Sequence, residues 1–179
     1  RFLVWRWYGV NVAGIPTKYN GTQFRSKIEA RYACVWDILG IHWEYECIEL
    51  HSYIPDFILD IPFFAGEKSY SPVLVEVKPV FNPEEFRSPI DTIAHSGWTG
   101  AAIVAGAMLR KRELFVDVEE YVIGYGHPIV DSKHGDRNSA DWFRVGWSST
   151  EKGFMIGGPS DISAAWKEAG NRVQWLPKR

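Results

Sequence analysis

Residues 53–78 read YIPDFILDIPFFAGEKSYSPVLVEVK, and the alternation within them sets the architecture. Successive side chains of an extended chain point to opposite faces. Over 73–78 (VLVEVK), Glu76 and Lys78 therefore share one face, and Val73, Val75 and Val77 the other. Over 53–61 (YIPDFILDI), Asp56, Ile58 and Asp60 share a face, with Phe57 and Leu59 opposite. Each segment reads as a strand with one buried side and one working or solvated side. Pro55 falls near the start of the first, where a missing N–H is tolerated, and Pro79 ends the second. Paired as a hairpin, the two strands bring Asp56 and Glu76 together at one end.

Upstream, 26–39 (SKIEARYACVWDIL) predicts a helix, because Ile28, Tyr32, Val35 and Leu39 recur on one face. Gly40 stands where a helix-ending glycine belongs. Residues 41–50 (IHWEYECIEL) read as a strand, 1–15 as a strand or hairpin, 16–22 as a loop, and 62–71 as a turn around Gly66. Downstream, the pattern predicts a short helix over 90–95, a buried strand over 101–109 and a strand over 118–125. A polar loop over 127–140 follows, then a Trp-rich hairpin from 142–147 and 154–156. Ser160 or Asp161 caps a last helix over 162–169 that ends at Gly170.

The length of 179 residues suits a single domain, with a core over about 20–125 and an elaboration over about 126–179. Hydrophobic residues make up 46% and charged residues 23%, which excludes bulk disorder. No apolar run approaches the ~18 residues of a membrane span, so no membrane partner is expected. No signal-peptide pattern is seen, and Arg1 rather than Met opens the chain, so the natural terminus is expected to be trimmed or to lie upstream. The net charge of −2 shows no global basic field, although a local basic groove can sit on a neutral protein. Cys34 and Cys47 have no zinc-type spacing and read as two free thiols of an intracellular protein. The 9 Trp, 8 Tyr and 10 Phe can fill a core or stack on bases, and composition does not choose between these.

The chemistry concentrates in 25–79. Two converging carboxylates, Asp56 and Glu76, suit a hard cation such as Mg²⁺. A lysine beside them, Lys78, can orient or deprotonate a water or neutralise developing negative charge. That set fits phosphodiester hydrolysis. Glu29 adds a third acid if its helix packs at the same end. Its structural alternative is specific: Ser26-Lys27-Ile28-Glu29 fits the S-x-x-E capping box. Two further features have bland readings. His127, Asp131, His134 and Asp136 read as a polar surface loop rather than a second metal site. Arg110-Lys111-Arg112 reads as the solvated end of an element, with phosphate contact as its functional alternative.

The run FRSKIEARYACVWDILGIHWEYE, then YIPDF, then VLVEVKP resembles the PD-(D/E)XK nuclease superfamily, with the restriction-endonuclease-like fold. More narrowly it is similar to small phage and bacterial nucleases. The resemblance covers about residues 20–80, with the helix glutamate, the Pro-Asp pair and the Glu-x-Lys triplet in the family's order. It implies an α/β fold with a central mixed β-sheet flanked by helices. A β-hairpin elaboration would follow in the C-terminal half. It implies that Asp56, Glu76 and the Val77 carbonyl hold Mg²⁺, with Mn²⁺ able to substitute. Lys78 would lie by the attacking water, Glu29 would contribute to the metal site, and Pro55 would be structural. No Q-x-x-x-Y motif or cysteine cluster follows Pro79, which argues against a processive exonuclease.

The expectation is a metal-dependent DNA endonuclease of the bacterial or phage-infected cytoplasm. Double-strand cutting or junction resolution would call for two active sites and hence a homodimer. The competing readings are a non-catalytic nucleic-acid-binding or assembly subunit that keeps the fold, and an enzyme acting on RNA or another phosphodiester.

Overall fold

Ser26 and Gly40 delimit the first helix as the sequence predicts. The computed structural model describes residues 14–65, 68–79, 87–115, 118–129, 143–147 and 159–173. In it α1 spans Lys27–Ile38, with the Ser26 hydroxyl accepting from the Glu29 N–H at 3.3 Å. At the other end Gly40 takes φ +67°. Its N–H bonds the Asp37 carbonyl at 3.2 Å, and the Ile41 N–H bonds the Trp36 carbonyl at 2.9 Å. This pair of bonds is the Schellman arrangement, which satisfies carbonyls left open at a helix end.

A six-stranded sheet forms the centre. Its strands are β3 (Trp43–Tyr45), β4 (Phe57–Leu59), β7 (Val73–Val77), β8 (Gly100–Phe115), β9 (Val118–Ile129) and β10 (Phe143–Trp147). Their spatial order is β10-β9-β8-β7-β4-β3. The sheet is mixed: β7 and β8 run parallel, and the other neighbours are antiparallel. A parallel pair needs a crossover, and the chain between β7 and β8 carries α2 (Arg87–His95). The closing helix α3 spans Pro159–Arg172.

Helices cover both faces of this sheet. On one, Phe57, Leu59, Val73, Val75, Val77, Ala101, Ile103 and Ala105 pack with α1 and with Ile162, Ala165 and Ala169 of α3. On the other, Leu74, Ala102 and Val104 pack with Ile93 of α2. Every residue of β7 is therefore buried; of the working or solvated side expected opposite the valines, the solvated alternative is excluded. A strand between two neighbours, covered above and below, has no wet face. Fully burying each large apolar side chain here contributes about 1.5–3 kcal/mol.

The described part of the chain is thus mixed α/β with a mixed sheet flanked by helices. Among the described residues no helix is long and apolar enough to cross a membrane. Cys34 is buried, Cys47 exposed, and both are free thiols.

Several expectations need correction. The predicted loop over 16–22 contains part of a hairpin, β1 (Thr17–Tyr19) with β2 (Thr22–Phe24). Asn20 and Gly21 both have positive φ, as a tight primed turn requires. The predicted turn over 62–71 is another two-stranded pair, β5 (Phe63–Ala65) with β6 (Lys68–Tyr70). The strands predicted over 41–50 and 53–61 shrink to β3 and β4, because Glu46 and Ser52 adopt left-handed φ between them.

The α2 helix begins earlier than predicted, and β8 and β9 are longer. The β8 strand carries the basic run Arg110 to Arg112 in its interior rather than at an end. The β10 strand pairs with β9, while 154–156 lie outside the described residues, as do 1–13, Asp131, His134 and Asp136. His127 belongs to β9, not to a loop. Gly170 lies inside α3 and does not stop it. A Cβ there would stand 2.8 Å from Arg31 Nη2. The Arg31 guanidinium lies 3.9 Å from the Trp166 ring centroid and donates to the Trp166 carbonyl at 2.6 Å. Arg31 therefore clamps α1 to α3.

Candidate active site

The β4–β7 register places Phe57 opposite Val75. The next step of the same antiparallel pairing sets Asp56 beside Glu76. Asp56 is 2% and Glu76 5% exposed, so two carboxylates share a nearly dry place at the end of the paired strands. Asp56 is held from two sides: its Oδ2 accepts from the Val77 N–H and its Oδ1 from Arg25 Nη2, both at 2.7 Å. Glu76 Oε2 accepts from the Tyr53 hydroxyl at 2.5 Å, and Glu76 Oε1 is ion-paired with Lys78 Nζ.

Burial, and next the charge of Glu76, push the Asp56 carboxyl up to about 7. The Val77 N–H opposes the rise, Glu29 adds to it and Lys78 opposes it. Burial and the charge of Glu76 push the Tyr53 phenol far up as well, so it stays a donor.

Glu29 enters from α1. It is 6% exposed, on the buried side of the helix with Ala33 and Trp36. Its Oε2 accepts from the Tyr45 hydroxyl at 2.6 Å and from the Arg25 N–H at 3.2 Å, and its Oε1 from the Ser26 hydroxyl at 2.5 Å. Half of the capping box read from Ser26 and Glu29 is therefore present: the Ser26 hydroxyl caps the Glu29 N–H, while the Glu29 carboxylate takes the Arg25 N–H, one residue before the cap; its charge also raises Asp56. Tyr45 is itself set by an aromatic cluster: Phe24 and Tyr45 ring centroids lie 4.5 Å apart, and Tyr45 and Phe57 5.3 Å. Part of the aromatic excess is thus core that aims a hydroxyl at Glu29.

All four side chains named from the sequence, Glu29, Asp56, Glu76 and Lys78, fall in this one neighbourhood. Sequence reading missed Arg25, Tyr45, Glu46 and Tyr53. Arg25 reaches both Asp56 and, through Nε at 2.6 Å, Glu46 Oε1. The available signals were position alone: Arg25 directly precedes the helix cap, and Tyr53 stands three residues before Asp56.

Two buried carboxylates and the Val77 carbonyl are hard oxygen donors of the kind that hold Mg²⁺ or Mn²⁺. Burial, and after it the charge of Glu76, drive Asp56 up, and a cation would offset both. Among the described residues, no three Asp, Glu, His or Cys side chains form a ready-made metal cluster. Arg25 and Lys78 instead occupy carboxylate oxygens in this arrangement. No family model, no curated protein and no solved structure matches the chain.

Proposed function

We propose that this chain is a metal-dependent DNA endonuclease with a restriction-endonuclease-like core. The observation that carries the reading is the meeting of buried Asp56 and Glu76 at the shared end of adjacent strands, with Lys78 paired to Glu76. Two acids in so dry a place cost stability unless a cation or proton compensates them. Arg25 and Lys78 each pair with one of them, and Asp56 is still pushed up, which leaves charge for a further cation to offset.

Asp56, Glu76 and the Val77 carbonyl would hold the divalent cation, Mg²⁺ or Mn²⁺. When bound, such a cation supplies Lewis-acid activation of water and neutralises charge on the phosphate oxygens. Lys78 would hold the water and accept or return its proton. Tyr53 fixes the Glu76 carboxylate. Glu29 fixes the start of α1 and adds negative charge near Asp56.

The test is conversion of supercoiled plasmid in Mg²⁺, Mn²⁺ or EDTA. Metal-dependent nicked or linear product, lost in Asp56→Ala and in Lys78→Ala, supports the reading. Cleavage unchanged in both variants overturns it.

A further inference from the structure

Arg25 lies between β2 and the Ser26 cap, and its side chain is bound by two carboxylates. Nη2 stands 2.7 Å from Asp56 Oδ1, and Nε 2.6 Å from Glu46 Oε1. Three features separate it from an ordinary surface ion pair. The arginine side chain is 61% exposed while its Asp56 partner is buried, so the guanidinium sits at the boundary between the site and solvent. Its second holder, Glu46, has φ +47°, a left-handed conformation that costs free energy in a residue other than glycine. The Glu46 N–H also bonds the Asp56 carbonyl oxygen at 3.0 Å, which ties that holder to the site. Finally, the Arg25 backbone N–H is fixed by Glu29 Oε2 and the Tyr45 hydroxyl, each at 3.2 Å. Both ends of this residue are anchored.

A guanidinium has five N–H donors in a planar fork that matches phosphate oxygens. Asp56 Oδ2 is taken by the Val77 N–H. A cation approaching Asp56 therefore competes with Arg25 for Oδ1. Displaced from that atom, the side chain still has Glu46 to keep it at the rim.

We propose that Arg25 is an exchangeable phosphate-binding arm. It covers Asp56 Oδ1 in the arrangement described. When a divalent cation takes that carboxylate, Arg25 stays on Glu46 and turns its Nη donors to a phosphodiester oxygen of the substrate. This rests on the nuclease reading of Asp56 and Glu76.

The experiment reads two affinities that move in opposite directions. Mn²⁺ binding is measured by calorimetry on the full chain and on Arg25→Ala. Arg25→Met, which keeps the aliphatic stem, is run alongside so that a folding defect in the alanine variant leaves the test standing. Binding of a labelled DNA duplex at saturating Mn²⁺ is measured in a Lys78→Ala background, with and without the Arg25 substitution. Losing one charge-assisted bond predicts Mn²⁺ affinity about tenfold higher and duplex affinity about tenfold lower. Glu46→Gln lowers duplex affinity in the same direction. Loss of both affinities, or no change in either, or tighter Mn²⁺ with unchanged duplex binding, overturns the arm. A wild-type chain that binds Mn²⁺ and cuts plasmid while failing this pattern loses the arm alone. A wild-type chain that does neither loses the nuclease reading as well.

Discussion

The Tyr53 hydroxyl donates to Glu76 Oε2 at 2.5 Å, joining a residue outside the sheet to the carboxylate of its central strand. Hydrogen bonds of this kind fix the orientation of a ligating carboxylate. Tyr53→Phe keeps the ring and removes the bond. It is expected to weaken Mn²⁺ binding about tenfold or more, with a loss of folding stability of about 1 kcal/mol. Calorimetry and urea unfolding measure the two effects separately.

The buried Asp56 makes stability depend on pH. Its carboxyl is raised from 3.8 to about 7, first by burial and then by Glu76. A raised carboxyl favours the folded state while protonated. That contribution is full below about pH 4, the range of an unfolded carboxyl, and is lost as pH rises through about 7. In EDTA, the urea midpoint of the wild type should therefore fall between pH 4 and 7 relative to Asp56→Asn. Mg²⁺ should reverse part of that fall. Parallel curves for the two proteins would contradict the placement of Asp56.

The Ser26 hydroxyl both accepts from the Glu29 N–H and donates to its carboxylate. Ser26→Ala should cost about 1 kcal/mol through the lost cap. Because the same change loosens Glu29, cleavage should fall further than the stability loss accounts for. Ser26→Thr, which keeps the hydroxyl, should restore both.

Gly170 and Arg31 form a pair testable by a double-mutant cycle. Gly170→Ala in a helix interior ordinarily stabilises by about 1 kcal/mol. Here the added Cβ would meet the guanidinium 2.8 Å away and displace it from Trp166. Losing a charged hydrogen bond costs about 1.5–3 kcal/mol, so Gly170→Ala should be net destabilising. In an Arg31→Ala background the same substitution should stabilise. Thermal melts of the four proteins give the coupling.

What was legible in the sequence was what neighbouring residues decide. Ser26, Glu29 and Gly40 announce both ends of α1 because helix capping is local. Asp56 and Glu76 were legible as a pair because strand alternation fixes their faces. The Asn20-Gly21 turn carried a clear hairpin signal, although 16–22 reads as a loop when only its polar residues are weighed. Burial of both faces of β7 was not legible, since it depends on where the crossover carrying α2 lands. Gly170 looks like a helix stop until Arg31, distant in sequence, is seen to need the space. Arg25, Glu46 and Tyr53 are ordinary surface types whose roles arise only once α1, β3 and β4 meet. The strand expected to end at 109 continues as β8 through Arg110 to Arg112, because pairing with β9 rather than local polarity sets its length.

Under the proposed function, Asp56 and Glu76 together support metal-dependent hydrolysis of DNA. The most direct measurement is conversion of supercoiled plasmid by wild type and Glu76→Gln at equal concentration in Mg²⁺. Melting curves confirm that the isosteric variant is folded. Nicked or linear product is expected from the wild type, none in EDTA, and a loss of at least about a hundredfold in the folded variant. Equal cleavage by a folded Glu76→Gln protein would contradict it.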